Sequence, residues 1–148
     1  MSSEDLKLSN QVCFPLYSAS RLITQAYKPY LDKLGITYPQ YLVLLVLWEK
    51  DEVSVNEISQ KLILKTNTLS PLLQRMAKLD LIQRNRSTED ERSVVIALTD
   101  NGKKMKADAE YIPQELMNNL LSESVELDDV VQLKLLLNQW IEILKKKD

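Results

Sequence analysis

The single cysteine of this 148-residue chain lies near its start, one helical turn before a tyrosine. Cys13 and Tyr17 are four positions apart, so a helix would place their side chains next to each other on one face. A phenol hydroxyl donating to the sulfur favours the thiolate, which is the nucleophilic form of cysteine. The pair indicates either a reactive thiol or a structural cysteine among interface tyrosines, since cysteine is among the most buried residue types.

The composition excludes several other kinds of site. The chain has no histidine, which argues against His-based catalytic triads, most zinc sites and the usual general base. One cysteine cannot form an internal disulfide, which is typical of an intracellular protein. No segment resembles a signal peptide, and no apolar run reaches the ~18 residues of a membrane span. We therefore expect a cytoplasmic protein with no metal, no cofactor and no membrane partner.

The elements that would carry the cysteine and the tyrosines are helical. From Leu8 to Leu34 the apolar positions step by three or four, which predicts one helix that ends at Gly35. Thr37 is a suitable cap for the next helix, and Pro39 suits its first turn. The run "YLVLLVLW" that follows is short enough to be a buried core helix.

A short helix, a turn, a second helix and a hairpin are predicted next. The apolar residues of Val55–Leu62 and of Leu69–Leu79 mark the two helices, and Pro71 requires the second to start near Thr66 to Ser70. The runs "LIQR" and "SVVIAL" flank a polar tip at residues 85–92. This order is typical of a winged helix-turn-helix, in which the second helix enters the DNA major groove. Further helices are predicted after Thr99 and over residues 130–144. The fold class is mainly α with a small β-hairpin wing.

Basic residues are concentrated in this segment. Residues 61–92 carry a net charge of +3, whereas the rest of the chain carries −5. Positive charge on a DNA-reading segment is what phosphate binding requires. A solvated charged surface with no partner explains the charge equally well.

The chain resembles the MarR family of transcription regulators, and within it the one-cysteine organic-hydroperoxide repressors. The residues that carry the resemblance are "QVCFPLYSASR", "YKPYLDKLGITYPQYLVLLVLWE", "TLSPLLQRM" and "LIQRNRSTEDERSVVIALTDNG". The resemblance covers nearly the whole chain and is weakest after Asp108. It implies a single domain over residues 1–148, with a DNA-binding part at 36–100 and terminal dimerisation helices at 5–35 and 101–148.

The resemblance also implies a redox-sensing role for Cys13, supported by Tyr17, Tyr27 and Tyr38. Tyr27 follows Cys13 by fourteen residues, or roughly 21 Å along a helix, so it cannot reach the thiol of its own chain. In the family, two tyrosines of one subunit lie near the cysteine of the other, which implies a homodimer. A peroxide would oxidise the thiolate to sulfenic acid, which condenses with a low-molecular-weight thiol.

For DNA, the resemblance implies a double-stranded, pseudo-palindromic operator. Arg92 of the wing would enter the minor groove, and an ion pair with Asp90 would hold the Arg92 side chain in place. Small polar residues at the start of the recognition helix would contact bases or phosphates. The expected DNA-binding residues are Lys65, Thr66, Asn67, Thr68, Ser70, Gln74, Arg75, Arg84, Arg86, Asp90 and Arg92. Pro15, Lys65 and Asn67 depart from the family pattern.

Three alternatives remain open from the sequence. A thiol-switch regulator of broader scope, controlling virulence or biofilm genes, would have the same residues. A repressor gated by a small phenolic ligand would bind DNA with Cys13 incidental. A thiol peroxidase is disfavoured, because the chain has no resolving cysteine and no alternating β/α pattern.

Overall fold

The computed structural model describes residues 3–89 and 92–146, which form seven α-helices and one antiparallel sheet. Two short 3-10 turns precede them, at Ser3–Leu6 and Leu8–Asn10. The elements are α1 Cys13–Leu34, α2 Tyr38–Glu49, β1 Val53–Ser54, α3 Val55–Leu62, α4 Thr66–Lys78, β2 Ile82–Arg86, β3 Val94–Leu98, α5 Asp100–Ala109, α6 Ile112–Leu120 and α7 Leu127–Lys145. The chain divides into two compact units, Met1–Glu110 and Tyr111–Asp148. No helix in the described ranges is long and apolar enough to cross a membrane.

The first unit contains the predicted helix-turn-helix and wing. Helices α3 and α4 follow each other, and β2 and β3 form the hairpin directly after them. The turn between the helices is closed by Ser59, whose carbonyl accepts from the Leu64 amide at 3.0 Å and whose hydroxyl donates to the Leu64 carbonyl. The mainly α fold with a hairpin wing is therefore confirmed.

Helix α1 begins later than the apolar pattern predicted. The pattern started at Leu8, but the helix starts at Cys13 and Leu8 lies in a separate 3-10 turn. Polar side chains explain the break. The side-chain amide of Asn10 donates to the backbone carbonyl of Glu4, and the side-chain amide of Gln11 donates to the backbone carbonyl of Asp5, both at 2.7 Å. Such side-chain bonds compete with the helical ladder. The consequence is that the cysteine occupies the first position of the helix.

The wing is larger than predicted. Strand β2 extends through Arg86, so Asn85 and Arg86 lie in the strand and not in the tip. A third strand, β1, was not predicted, and it pairs with β3 through Val53 opposite Ile96. The sheet order β1-β3-β2 fixes the hairpin to the residues just before α3. The wing is thus joined on two sides to the helices that precede it.

Local capping ends α1 and starts α2, the two helices that carry the tyrosines. Gly35 ends α1 in the left-handed conformation, with φ of 71°, and the Ile36 amide donates back to the Leu31 carbonyl at 3.1 Å. Thr37 then starts α2 through a capping box with Gln40. The run after it is buried almost all round, as expected for a core helix. The core of this unit is made largely of Val43, Leu44, Leu47, Ile58, Leu69, Leu73, Met76 and Ile96.

The second unit consists of α6, which was not predicted, and α7, which was predicted over a slightly shorter range. Helix α7 exposes many large apolar side chains: Val131, Leu133, Leu135, Leu136, Trp140, Ile141, Ile143 and Leu144. The first unit exposes a similar set near its start, at Leu6, Leu8, Val12, Phe14, Leu16 and Leu22. Exposed apolar surface on this scale marks an interaction surface.

Candidate thiol site and DNA-binding surface

Cys13 is exposed and is the first residue of α1. The first turn of a helix favours negative charge, because its unpaired backbone N–H groups point out of the N-terminal end of the helix. Tyr17 lies one turn further on and is 63% exposed, with the guanidinium of Arg21 4.8 Å from its ring centroid. The structure thus places the predicted Cys13 and Tyr17 pair together on an exposed helix start.

The other two predicted tyrosines form a separate cluster between α1 and α2. The ring centroids of Tyr27 and Tyr38 are 4.8 Å apart, and Tyr41 lies 5.8 Å from the first and 6.2 Å from the second. Tyr41 was missed in the sequence analysis, although it follows Tyr38 by three positions on one helix and so shares its face. We call Tyr27, Tyr38 and Tyr41 the tyrosine cluster.

The phenols of the tyrosine cluster keep their protons well beyond neutral pH. Burial, together with the neighbouring Tyr38 and Tyr41 phenols, raises the pKa of Tyr27 to about 12. Burial also raises the pKa of Tyr38, and burial together with Tyr38 raises that of Tyr41. These hydroxyl groups are therefore hydrogen-bond donors over the whole physiological range.

Within one protomer the thiol and the tyrosine cluster are far apart. Cys13 and Tyr27 both lie on α1, fourteen residues from each other, which corresponds to roughly 21 Å along the helix axis. The structure confirms that a single helix carries both residues. A direct bond between them inside one chain is therefore excluded by distance.

The tyrosine cluster is continued by Trp48 at the other end of α2. The Trp48 ring lies edge-on to Tyr41, with 6.4 Å between centroids, and its indole Nε1 donates to the Gly102 carbonyl at 2.9 Å. Gly102 has no space for a side chain, because a Cβ atom there would overlap the Leu81 carbonyl. The aromatic residues of α2 are thus tied to the start of α5, directly after the wing.

The recognition helix α4 presents the polar residues expected of it. Lys65 is its N-cap residue but makes no capping bond through its side chain. Thr66, Asn67 and Thr68 form its exposed first turn, and Ser70 is half-buried. The exposed residues Gln74 and Arg75 follow. The helix starts at Thr66, within the range that Pro71 required; Pro71 itself lies inside the helix and has no amide to donate to the Asn67 carbonyl.

The wing brings two of its predicted arginines to the start of α4. A groove of about 270 Å³ lies between α3, α4 and the hairpin, and it is lined by Ser54, Asn56, Thr66, Ser70, Arg84 and Arg92. We call it the junction groove. Ser54 and Asn56 were missed in the sequence analysis, because their nearness to Arg84 arises only when the chain folds. Arg86 is exposed two positions beyond Arg84 in β2, and Asp90 lies outside the described residues.

In the described part of the chain, no group of three or more residues could hold a metal ion. The chemical groups available are therefore one exposed thiol, a cluster of protonated phenols and a basic groove beside a recognition helix.

Comparison with known proteins shows the same organisation. A family model described as the transcriptional regulator SarA/Rot matches residues 25–109. The chain is 48% identical over 145 residues to the organic hydroperoxide resistance transcriptional regulator of Bacillus subtilis, covering 98% of this chain and 97% of that protein. It is 37% identical over 140 residues to the HTH-type transcriptional regulator MgrA of Staphylococcus aureus, covering 94% and 93%.

Structures of AbfR are similar over the full length. The reduced, DNA-bound form superposes with a TM-score of 0.79 at 36% identity, covering 99% of this chain and 98% of that one. The overoxidised, DNA-bound form gives a TM-score of 0.76 at 36% identity and full coverage of both chains. The disulfide form gives 0.64 at 38% identity, covering 94% and 96%. These comparisons confirm the resemblance that the sequence motifs indicated.

Proposed function

Because the chain belongs to the SarA/Rot family of MarR-type transcriptional regulators, we propose that it is a redox-sensing repressor that leaves its operator when Cys13 is oxidised. The observation that carries this proposal is the position of the only cysteine, exposed at the first residue of α1. A relative that is 48% identical over nearly the full length is an organic hydroperoxide resistance regulator, which supports organic hydroperoxides as the oxidant.

The chemistry at Cys13 balances with one hydroperoxide molecule for each thiol. The thiol first releases its proton, and the thiolate sulfur attacks the terminal oxygen, so that the S–O bond forms while the O–O bond breaks; the alkoxide leaves and takes up a proton to become the alcohol. The resulting sulfenic acid condenses with a low-molecular-weight thiol, forming a mixed disulfide and releasing water. With a single cysteine in the chain, no second thiol of the same chain can resolve the sulfenic acid. We therefore expect a stoichiometric sensor and not a turnover enzyme.

The tyrosine cluster supplies hydrogen bonds to the thiol of a partner subunit. Tyr27 and Tyr38 pack against each other, with 4.8 Å between their ring centroids, but Tyr27 is roughly 21 Å from Cys13 along α1. A two-fold pairing of chains can bring the start of one α1 to the cluster of the other. The exposed apolar side chains near the chain start and along α7 provide surface for such a homodimer.

DNA binding is assigned to α4 and the wing. The first turn of α4 enters the major groove, where Thr66, Asn67 and Thr68 meet bases or phosphates, and Arg92 at the wing reaches the adjacent minor groove. We call α4 and the wing of one subunit the DNA-binding head. The two heads of a dimer correspond to the two halves of a pseudo-palindromic operator. The similarity to DNA-bound AbfR, over 99% of the chain, supports this arrangement.

The coupling acts through the packing between subunits. An oxidised Cys13 is larger and makes different hydrogen bonds, so the contact between the start of α1 and the partner's tyrosine cluster rearranges. Helix pairs at interfaces commonly have two discrete arrangements and not a continuum. A loss of about 2 to 3 kcal/mol in DNA binding is enough to release a promoter, at ~1.4 kcal/mol for each tenfold change.

The test is the response of Cys13→Ser to hydroperoxide. Serine keeps the size and the hydrogen-bonding ability of the side chain, so the variant should bind DNA as tightly as the reduced protein. With cumene hydroperoxide and a small thiol present, the unmodified protein should leave DNA and gain one thiol adduct by intact mass, whereas the variant stays bound. Release of both proteins alike would show that Cys13 is not the sensor.

A groove beside Tyr38 favours a second candidate function. It has a volume of about 290 Å³, is mostly apolar, and lies between Lys28 and Leu31 of α1 and Ile36, Tyr38 and Pro39. Such a groove suits a small phenolic ligand, in which case Cys13 would be incidental. A phenolic acid that released Cys13→Ser and the unmodified protein from DNA equally would support this function.

A further inference from the structure

The junction groove lies where a DNA strand has to pass if the proposed function holds. In a winged helix-turn-helix complex, the recognition helix occupies the major groove and the wing the adjacent minor groove. One phosphodiester strand separates these two grooves of DNA. That strand therefore crosses the protein between the start of α4 and the wing, which is the position of the junction groove.

The side chains of the junction groove suit a phosphate group. Arg84 and Arg92 are the only charged residues among those that line it in the described part of the chain, so its lining is basic. The hydroxyl groups of Ser54 and Thr66 and the amide of Asn56 add neutral donors. The nearby carboxylate of Glu57 is paired with the Lys50 ammonium at 3.5 Å.

We propose that Ser54 and Asn56, at the start of α3, bind the DNA backbone in the junction groove together with Arg84. This assignment rests on the proposed function, and it extends the DNA contact from α4 and the wing to a third element. Because phosphates are the same in every sequence, the contact positions the protein on DNA without adding base specificity.

Ser54 allows a test that keeps the fold intact. Its hydroxyl caps α3 by accepting from the Glu57 amide at 3.0 Å, so Ser54→Ala would weaken the helix as well as the groove. Aspartate and asparagine are equally good caps of similar size. Ser54→Asp and Ser54→Asn therefore differ mainly by one negative charge in the junction groove.

The experiment measures binding of the reduced, full-length variants to two duplexes by fluorescence anisotropy. One duplex is selected with the unmodified protein from a random pool, and the other has the same bases in scrambled order. Ser54→Asp should bind both duplexes at least tenfold more weakly than Ser54→Asn, and this gap should narrow as salt is raised. Asn56→Ala should lose about tenfold on both duplexes, whereas Gln60→Ala, an exposed amide on the same helix outside the groove, serves as the control and should lose little.

Equal affinity of Ser54→Asp and Ser54→Asn, with matching melting temperatures, would overturn the assignment while leaving the proposed function standing. A loss confined to the selected duplex would overturn it too, because it would indicate base contact. If the unmodified reduced protein selected no duplex at all, the proposed function would itself fail.

Discussion

Mixed dimers provide a strict test of the proposal that each thiol is served by the tyrosine cluster of the other subunit. Two substitutions are needed, Cys13→Ser and Tyr27→Phe. In the trans heterodimer each chain carries one of them, whereas in the cis heterodimer one chain carries both and the other none. The two heterodimers have identical composition and differ only in how the changes are distributed.

The cross-subunit arrangement gives opposite outcomes for the two heterodimers. In the trans form the remaining Cys13 belongs to the Tyr27→Phe chain and faces the intact Tyr27 of its partner, so it should react at the normal rate. In the cis form the remaining Cys13 faces phenylalanine and should react slowly. If thiol and phenol instead came from one chain, the trans form would be slow and the cis form normal.

The size of the effect follows from the hydrogen bond that is lost. Phenylalanine keeps the ring that lies 4.8 Å from Tyr38, so packing is preserved and only the hydroxyl group is removed. A hydrogen bond to a charged acceptor contributes about 1.5 to 3 kcal/mol, or about ten- to a hundredfold in an equilibrium. Other donors to the sulfur remain, so we expect a rate loss of about tenfold.

The assay is the rate of sulfenic acid formation with cumene hydroperoxide, followed on heterodimers purified through two different affinity tags. Homodimers of Tyr27→Phe provide the slow reference rate and those of the unmodified protein the fast one. A slow trans form together with a fast cis form would refute the cross-subunit reasoning. Equal rates in both forms would show that Tyr27 does not act on the thiol.

Three further predictions concern the wing, the recognition helix and the tyrosine cluster. Arg92→Ala should weaken operator binding by about 1 to 3 kcal/mol in a titration at physiological salt, while the rate of Cys13 oxidation is unchanged; unaltered affinity would remove Arg92 from the DNA contact. Lys65→Asp should stabilise the fold by about 1 kcal/mol in urea unfolding, because it supplies the missing cap of α4, yet should weaken DNA binding through its negative charge; Lys65→Ser, which adds the cap without that charge, should lose less affinity. Because the pKa of Tyr27 is raised from its ordinary value near 10 to about 12, the unfolded chain releases this proton first. Stability should therefore be intact below pH 10, fall as pH rises from about 10 to 12, and fall less in Tyr27→Phe, as measured by chemical unfolding at each pH.

The sequence predicts best what is decided by neighbouring residues. Gly35, Thr37 and Thr99 were assigned as helix ends from local chemistry alone, and each has that role in the structure. The helix-turn-helix and hairpin also follow from periodicity over a few turns. The start of α1 was placed too early, because the spacing of apolar residues takes no account of the polar side chains of Asn10 and Gln11. Their bonds to backbone carbonyls interrupt the helical hydrogen bonding before Cys13.

What the sequence does not show are the contacts between distant segments. Strand β1 has two residues, too few for an alternating pattern, and exists only because β3 lies beside it. Ser54 and Asn56 line the same groove as Arg84, about thirty positions further along the chain, which no local pattern records. The link from Trp48 to Gly102 spans fifty-four positions and was likewise not predicted.

The DNA-binding head is held together at the base of the wing, and this bears on how oxidation can act. The Thr99 amide donates to the Leu81 carbonyl at 3.1 Å and its hydroxyl to the Asp80 carbonyl at 2.6 Å, which ties the start of α5 to the end of α4. On the other side of the hairpin, the Leu98 amide donates to the Asp51 carboxylate at 2.9 Å. The base of the wing is therefore anchored by partly buried bonds, on one side to the segment that follows α4 and on the other to the segment between α2 and β1. A change at Cys13 is best placed to act on the contact between subunits, and we expect release from DNA to come from altered spacing of two intact heads and not from distortion within either one.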